Sequence, residues 1–134
     1  MKKRIMATVM ALVLSVSLLA GCGGTSEKDY VKDIKAITAA AEDMENLSSD
    51  PKDGVKELKA IVKSLKVRTP EGKAIKADLK KMSDAMNKLS KNEDDEDAWE
   101  DVMEAMGDFY DHLNDFVKAA QEAGVDEDDI ADIF

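Results

Sequence analysis

The chain has 134 residues and a formal net charge of −10, from 19 Lys and Arg against 29 Asp and Glu. One domain is the expectation at this length, and the negative sign argues against a nucleic-acid partner, whose phosphates attract basic surfaces. A single Cys and a single His exclude an internal disulfide framework and a zinc site built from Cys and His alone.

The N-terminus divides into three parts with different physics. Lys2, Lys3 and Arg4 form a positive start, and residues 5–20 (IMATVMALVLSVSLLA) carry no charge. An apolar run of this length falls short of the roughly 20 residues of a permanent membrane span but suits the apolar core of a signal peptide. It closes on Leu19-Ala20-Gly21-Cys22. This junction resembles the lipobox of bacterial lipoproteins, where a branched residue and two small ones precede the lipidated Cys. The resemblance covers residues 1–22 alone. It implies cleavage between Gly21 and Cys22, acyl chains on Cys22, and a protein held to the extracytoplasmic face of a bacterial membrane. Gly23 in place of Asp after the Cys resembles the pattern of outer-membrane lipoproteins where a second membrane exists. Several acyl chains anchor far more firmly than one, each buried CH₂ contributing about 0.8 kcal/mol. Residues 22–26 form a short tether.

Beyond the tether the sequence predicts an all-α fold, an antiparallel up-down four-helix bundle with a three-helix core as the alternative. In residues 27–47, Tyr30, Ile34, Ile37, Ala41 and Met44 step by four and three, the apolar seam of an amphipathic helix, with Ser26 as N-cap. Asp50-Pro51 is a cap followed by proline at the first helical position. It opens a helix over residues 51–66 with Val55, Leu58, Val62 and Leu65 as seam. Thr69-Pro70 repeats that signal for residues 70–91, whose seam is Ile75, Leu79, Met82, Met86 and Leu89. The longest segment, residues 94–123, carries Val102, Met106, Phe109, Leu113, Phe116 and Ala120. Met103, Tyr110 and Val117 widen this seam on one side, Trp99 begins it, and Gly124 is a natural C′ residue. A final turn over residues 127–133 follows Asp126, with Ile130, Ile133 and Phe134 as its apolar residues.

Charge is partitioned along this frame. Without the three basic leader residues the balance is 16 basic to 29 acidic, or −13. Residues 22–91 hold 15 basic and 12 acidic residues (+3), whereas residues 92–134 hold Lys118 alone against 17 acids (−16). Asp97, Asp101, Glu104, Asp108, Asp111 and Asp115 repeat at four- and three-residue steps. On a helical wheel they fall opposite the apolar seam, and this stripe is the candidate acidic docking face. A solvated face that keeps the protein soluble is the simpler reading of such a run. Lys52, Lys56, Lys59, Lys63 and Lys66 line one side of the second helix and are expected to meet acids such as Glu100.

Catalytic and metal chemistry find little support. Neither residues 92–104 nor residues 126–134 supply the spaced oxygens, central Gly and terminal Glu of a calcium loop. His112 has Asp108 four residues before it and Asp115 three after; with no second His, this reads as a surface imidazole raised by carboxylates. Met44, Met82, Met86, Met103 and Met106 read as core filler. No phosphate loop, nucleophile elbow or catalytic carboxylate pair is present, so neither an enzyme nor a cofactor is implied. The expectation is a non-catalytic binding or interaction module at the cell envelope. Its partners are the membrane through Cys22 and a basic envelope protein or weakly bound divalent cations. The alternative is a binding protein for a small apolar or cationic solute.

Overall fold

A computed structural model describes residues 26–133. Within them the fold is all-helical, with five helices packed against one another: α1 (Glu27–Glu45), α2 (Pro51–Ser64), α3 (Pro70–Lys91), α4 (Glu96–Glu122) and α5 (Glu127–Ala131). The leader, the lipobox, Cys22 and Phe134 lie outside the described residues. No helix among the described residues is long and apolar enough to cross a membrane.

The helix starts follow from local chemistry. Asp50 Oδ1 accepts from the backbone N–H of Lys52 at 3.0 Å and of Asp53 at 3.2 Å, and Pro51 supplies a residue that needs no partner. Thr69 Oγ1 accepts from Gly72 N–H at 2.9 Å, and Asp95 Oδ1 from Ala98 N–H at 3.0 Å. Ser26 occupies the N-cap of α1 without a side-chain capping bond; its hydroxyl faces Asp29 at 3.4 Å. At the far end of α4, Gly124 adopts φ 92°, which lets Gly124 N–H bond Gln121 C=O and Val125 N–H bond Ala120 C=O, both at 3.0 Å. The chain turns there, and Val125 drops into the core.

Two helices dominate the packing. α3 and α4 share the largest helix–helix contact. They run antiparallel, since Lys88 meets Asp101 near one end and Asp78 meets His112 further along. The main core gathers Tyr30, Ile34 and Ile37 from α1, Leu58 and Val62 from α2, Ile75 and Leu79 from α3, Leu113 and Phe116 from α4, and Ile130 from α5. Phe116 is fully buried and lies against Tyr30, their ring centroids 5.6 Å apart. A second, smaller cluster of Ala85, Leu89, Ala98 and Val102 comes from α3 and α4 alone. The hairpin therefore continues past the multi-helix core as a two-helix arm. Over its 27 residues α4 is about 40 Å long, whereas the 14 residues of α2 reach about 21 Å.

A buried carboxylate joins α1 to this frame. Asp33 is fully buried and accepts from Arg68 N–H at 2.8 Å, Thr69 N–H at 2.8 Å and the Thr69 hydroxyl at 2.6 Å. These N–H groups stand at the entrance to α3, where a helix leaves donors unsatisfied and the dipole is positive. Gly72 makes room: a Cβ there would lie 2.5 Å from Asp33 Oδ2. In the same first turn of α3, Glu71 is buried and accepts from the Tyr30 hydroxyl at 2.9 Å. Burial and this carboxylate together raise the Tyr30 pKa, so the phenol stays protonated.

Candidate functional site

The sequence frame misplaces one face of α4. The buried side of that helix is carried by Ala98, Val102, Ala105, Leu113, Phe116, Ala119 and Ala120. Small residues hold much of it, and the axis of burial is rotated toward the acidic stripe. Trp99, Met103, Met106 and Tyr110, expected in the seam, are instead exposed at 53%, 57%, 37% and 58%. The physical reason is the arm. There α3 and α4 meet through Ala85, Leu89, Ala98 and Val102, and no third helix contributes to this second cluster that would cover the large side chains.

The acidic stripe is correspondingly not a uniform outward face. Asp97, Asp101 and Glu104 are exposed, Asp108 and Asp111 are half-buried, and Asp115 is buried. Asp101, Glu104 and Asp108 wall one side of an open groove of about 340 Å³ between α4 and α3, with Lys81, Asp84 and Lys88 opposite and Ala85 and Ala105 as its floor. Lys88 Nζ lies 3.2 Å from Asp101 Oδ2, with both side chains more than half exposed, so the pair contributes little to stability. The acids of α4 thus meet lysines of α3. The α2 lysines expected to meet Glu100 are exposed, and no ion pair among the described residues involves them.

His112 is the other correction. It is not a surface imidazole between Asp108 and Asp115. Its Nδ1 is bonded to Asp78 Oδ2 of α3, the His side chain 15% and the Asp side chain 2% exposed. That hydrogen bond raises the His112 pKa most, against the opposing pull of burial, with Asp78, Asp108 and Asp115 adding their charge. Asp115 is itself raised, chiefly by desolvation, with Lys118 and His112 opposing. The pair staples α3 to α4 near the boundary between core and arm. No group of His, Cys, Asp and Glu among the described residues is arranged to hold a metal ion.

What remains for recognition is the outer line of α4. Trp99, Met103, Met106 and Tyr110 step by four, three and four, the spacing with which a helix presents anchors to another helix. Both ends are held in place. The Trp99 indole N–H donates to Glu93 C=O at 3.1 Å across the α3–α4 turn, and Tyr110 packs edge-on against Phe109 with centroids 5.7 Å apart. Seven residues beyond Tyr110 the same line reaches Val117, which is packed against the main core. One line of side chains is thus partly buried at the core end, at Val117, and bare from Trp99 to Tyr110. No protein-family model, curated protein or solved structure matches the chain.

Proposed function

We propose that this protein is a lipid-anchored, extracytoplasmic helical lipoprotein of a bacterial envelope, acting as a non-catalytic interaction module with the α3–α4 arm as its working surface. The observation that carries the reading is the row of four large apolar side chains left exposed on the arm. Soluble domains rarely leave contiguous apolar patches of more than a few hundred Å² without a use for them. The anchor half of the proposal rests on Leu19-Ala20-Gly21-Cys22. The up-down-up-down course of the four long helices belongs to the same proposal, supported by the antiparallel α3–α4 pairing and the short α1–α2 connection.

Each half has its own test. Metabolic labelling with a clickable fatty acid is expected to mark the wild-type protein and to leave Cys22→Ala unmarked; equal labelling of both removes the anchor. For the arm, a photo-crosslinking residue at Met103 in intact cells is expected to give a discrete adduct that the same residue at Lys59 on α2 does not. Identical patterns from the two positions would remove the arm as the working surface.

A further inference from the structure

We infer that the bare line on α4 is a docking seat for one helix of a partner that is amphipathic and cationic: apolar on the face it lays down, Lys- or Arg-rich along its edges. This rests on the interaction-module reading above and names the chemistry of its partner.

Three observations carry it. The first is continuity. Trp99, Met103, Met106 and Tyr110 share a helix line with Val117, and at Val117 that line is already packed against the multi-helix core. An incoming helix on the arm extends packing that the fold itself uses further along α4. The second is the rim. Glu100, Glu104 and Asp111 each follow a member of the line by one residue, and Glu96 precedes Trp99 by three. A turn of about 100° per residue therefore places a row of carboxylates beside the apolar row. Glu96, Glu100 and Glu104 are exposed, and no ion pair among the described residues engages them. The third is pre-organisation. Trp99 is held through Glu93 and Tyr110 through Phe109, so little side-chain freedom is lost when a partner settles on them.

Charge decides between occupants. In a second copy the arm would bring the same acidic rim against itself, because a two-fold contact pairs a patch with its own image. An anionic bilayer repels the same rim. A basic amphipathic helix satisfies both rows at once, its apolar face covering the line and its cations reaching Glu96, Glu100 and Glu104.

Trp99 is the single Trp of the chain and sits in the seat, so the protein carries its own reporter. The probe is a synthetic peptide of about 18 residues, some five helical turns, with Leu at helical spacing and Lys elsewhere. It is compared with a scrambled peptide of equal composition and with a Glu-for-Lys version. The expected result is a saturable blue shift of Trp99 emission with the amphipathic basic peptide alone. Raising salt from about 0.05 to about 0.5 M should weaken this binding at least tenfold. Met103→Ser with Tyr110→Ser should weaken it at least tenfold as well, while leaving the helical circular dichroism and thermal midpoint in place. An equal response to the scrambled peptide, or no response, overturns the proposal. So does a blue shift that grows with protein concentration alone, which would make the occupant a second copy, or one produced by neutral lipid vesicles. The crosslinking contrast between Met103 and Lys59 survives such a failure if the arm binds a partner of other chemistry, and disappears if the arm binds nothing.

Discussion

The two ends of the α3–α4 hairpin are built from the same helices yet obey different rules. Around Phe116 the hairpin is packed by α1, α2 and α5, large side chains interlock, and buried polar groups such as Asp33 and Glu71 are fully engaged. Around Ala98 only two helices meet, contact runs through Ala85, Leu89, Ala98 and Val102, and Trp99, Met103 and Met106 of α4 face outward. Two helices have too little surface to hide each other's apolar faces, which is why isolated helical pairs are marginal and bundles are common. The core end is thus made for stability and the arm end is left with unspent apolar surface. Substitutions at the two ends should separate these roles.

The largest effect is expected at Asp33. Its carboxylate receives two backbone N–H groups and a hydroxyl at the entrance to α3, both Thr69 donors buried and the Arg68 N–H partly so. Asp33→Ala leaves those donors without an acceptor, and hydrogen bonds to charged groups are worth about 1.5–3 kcal/mol each before partial compensation. A global loss of about 3–5 kcal/mol by urea unfolding is expected, a large share of the roughly 5–15 kcal/mol of a typical domain. A loss below about 1 kcal/mol would mean that the core end is not organised by this carboxylate.

Much of this frame is legible in one dimension. Asp50-Pro51 and Thr69-Pro70 announce helix starts because a side-chain acceptor and a missing N–H act within a few residues, and Gly124 announces a stop through its positive φ. Periodicity also finds the helices. It fails at the face of α4, because a wheel weights large apolar residues while the arm packs through Ala98 and Ala105, and no pattern within one helix tells whether a third helix will arrive. The Asp33–Thr69 and Asp78–His112 contacts join residues 36 and 34 positions apart, beyond any local rule. The acidic period was visible. Its division into an exposed part, a groove wall and the buried Asp115 depends on where α3 lies.

An intermediate effect is expected at the junction of the two regions. His112 bonded to Asp78 has its pKa raised above the ordinary value near 6.5, so the folded protein holds this proton more tightly than the unfolded chain. The resulting stability is fully present below about pH 6.5 and is lost as pH rises through the raised folded value. Asp115 acts in the same direction from lower pH: its raised pKa means that ionising it costs more in the folded state, so stability falls as pH climbs past the usual Asp range. Chemical denaturation from pH 5 to pH 9 should therefore show a decline with rising pH. His112→Gln should lose about 2 kcal/mol at the acid end, where a buried carboxylate is deprived of its cation, and should flatten the slope above about pH 6.5. An unchanged slope would detach the pair from the folding equilibrium.

The smallest effect on stability is the one that most sharpens the contrast. Met103 and Tyr110 are more than half exposed and belong to neither core cluster. Surface substitutions away from caps and buried networks usually stay within about 0.5 kcal/mol, so Met103→Ser with Tyr110→Ser should unfold almost where the wild type does. A loss of more than about 2 kcal/mol would mean that these side chains already have a structural partner, and the arm would then be an extension of the core. A near-zero cost has the opposite meaning. Folding then does not account for two large apolar side chains in register on a helix, one of them braced against Phe109. On the docking proposed above, stability measured with and without a cationic amphipathic helix should diverge between the variant and the wild type, since a ligand stabilises only the fold that binds it.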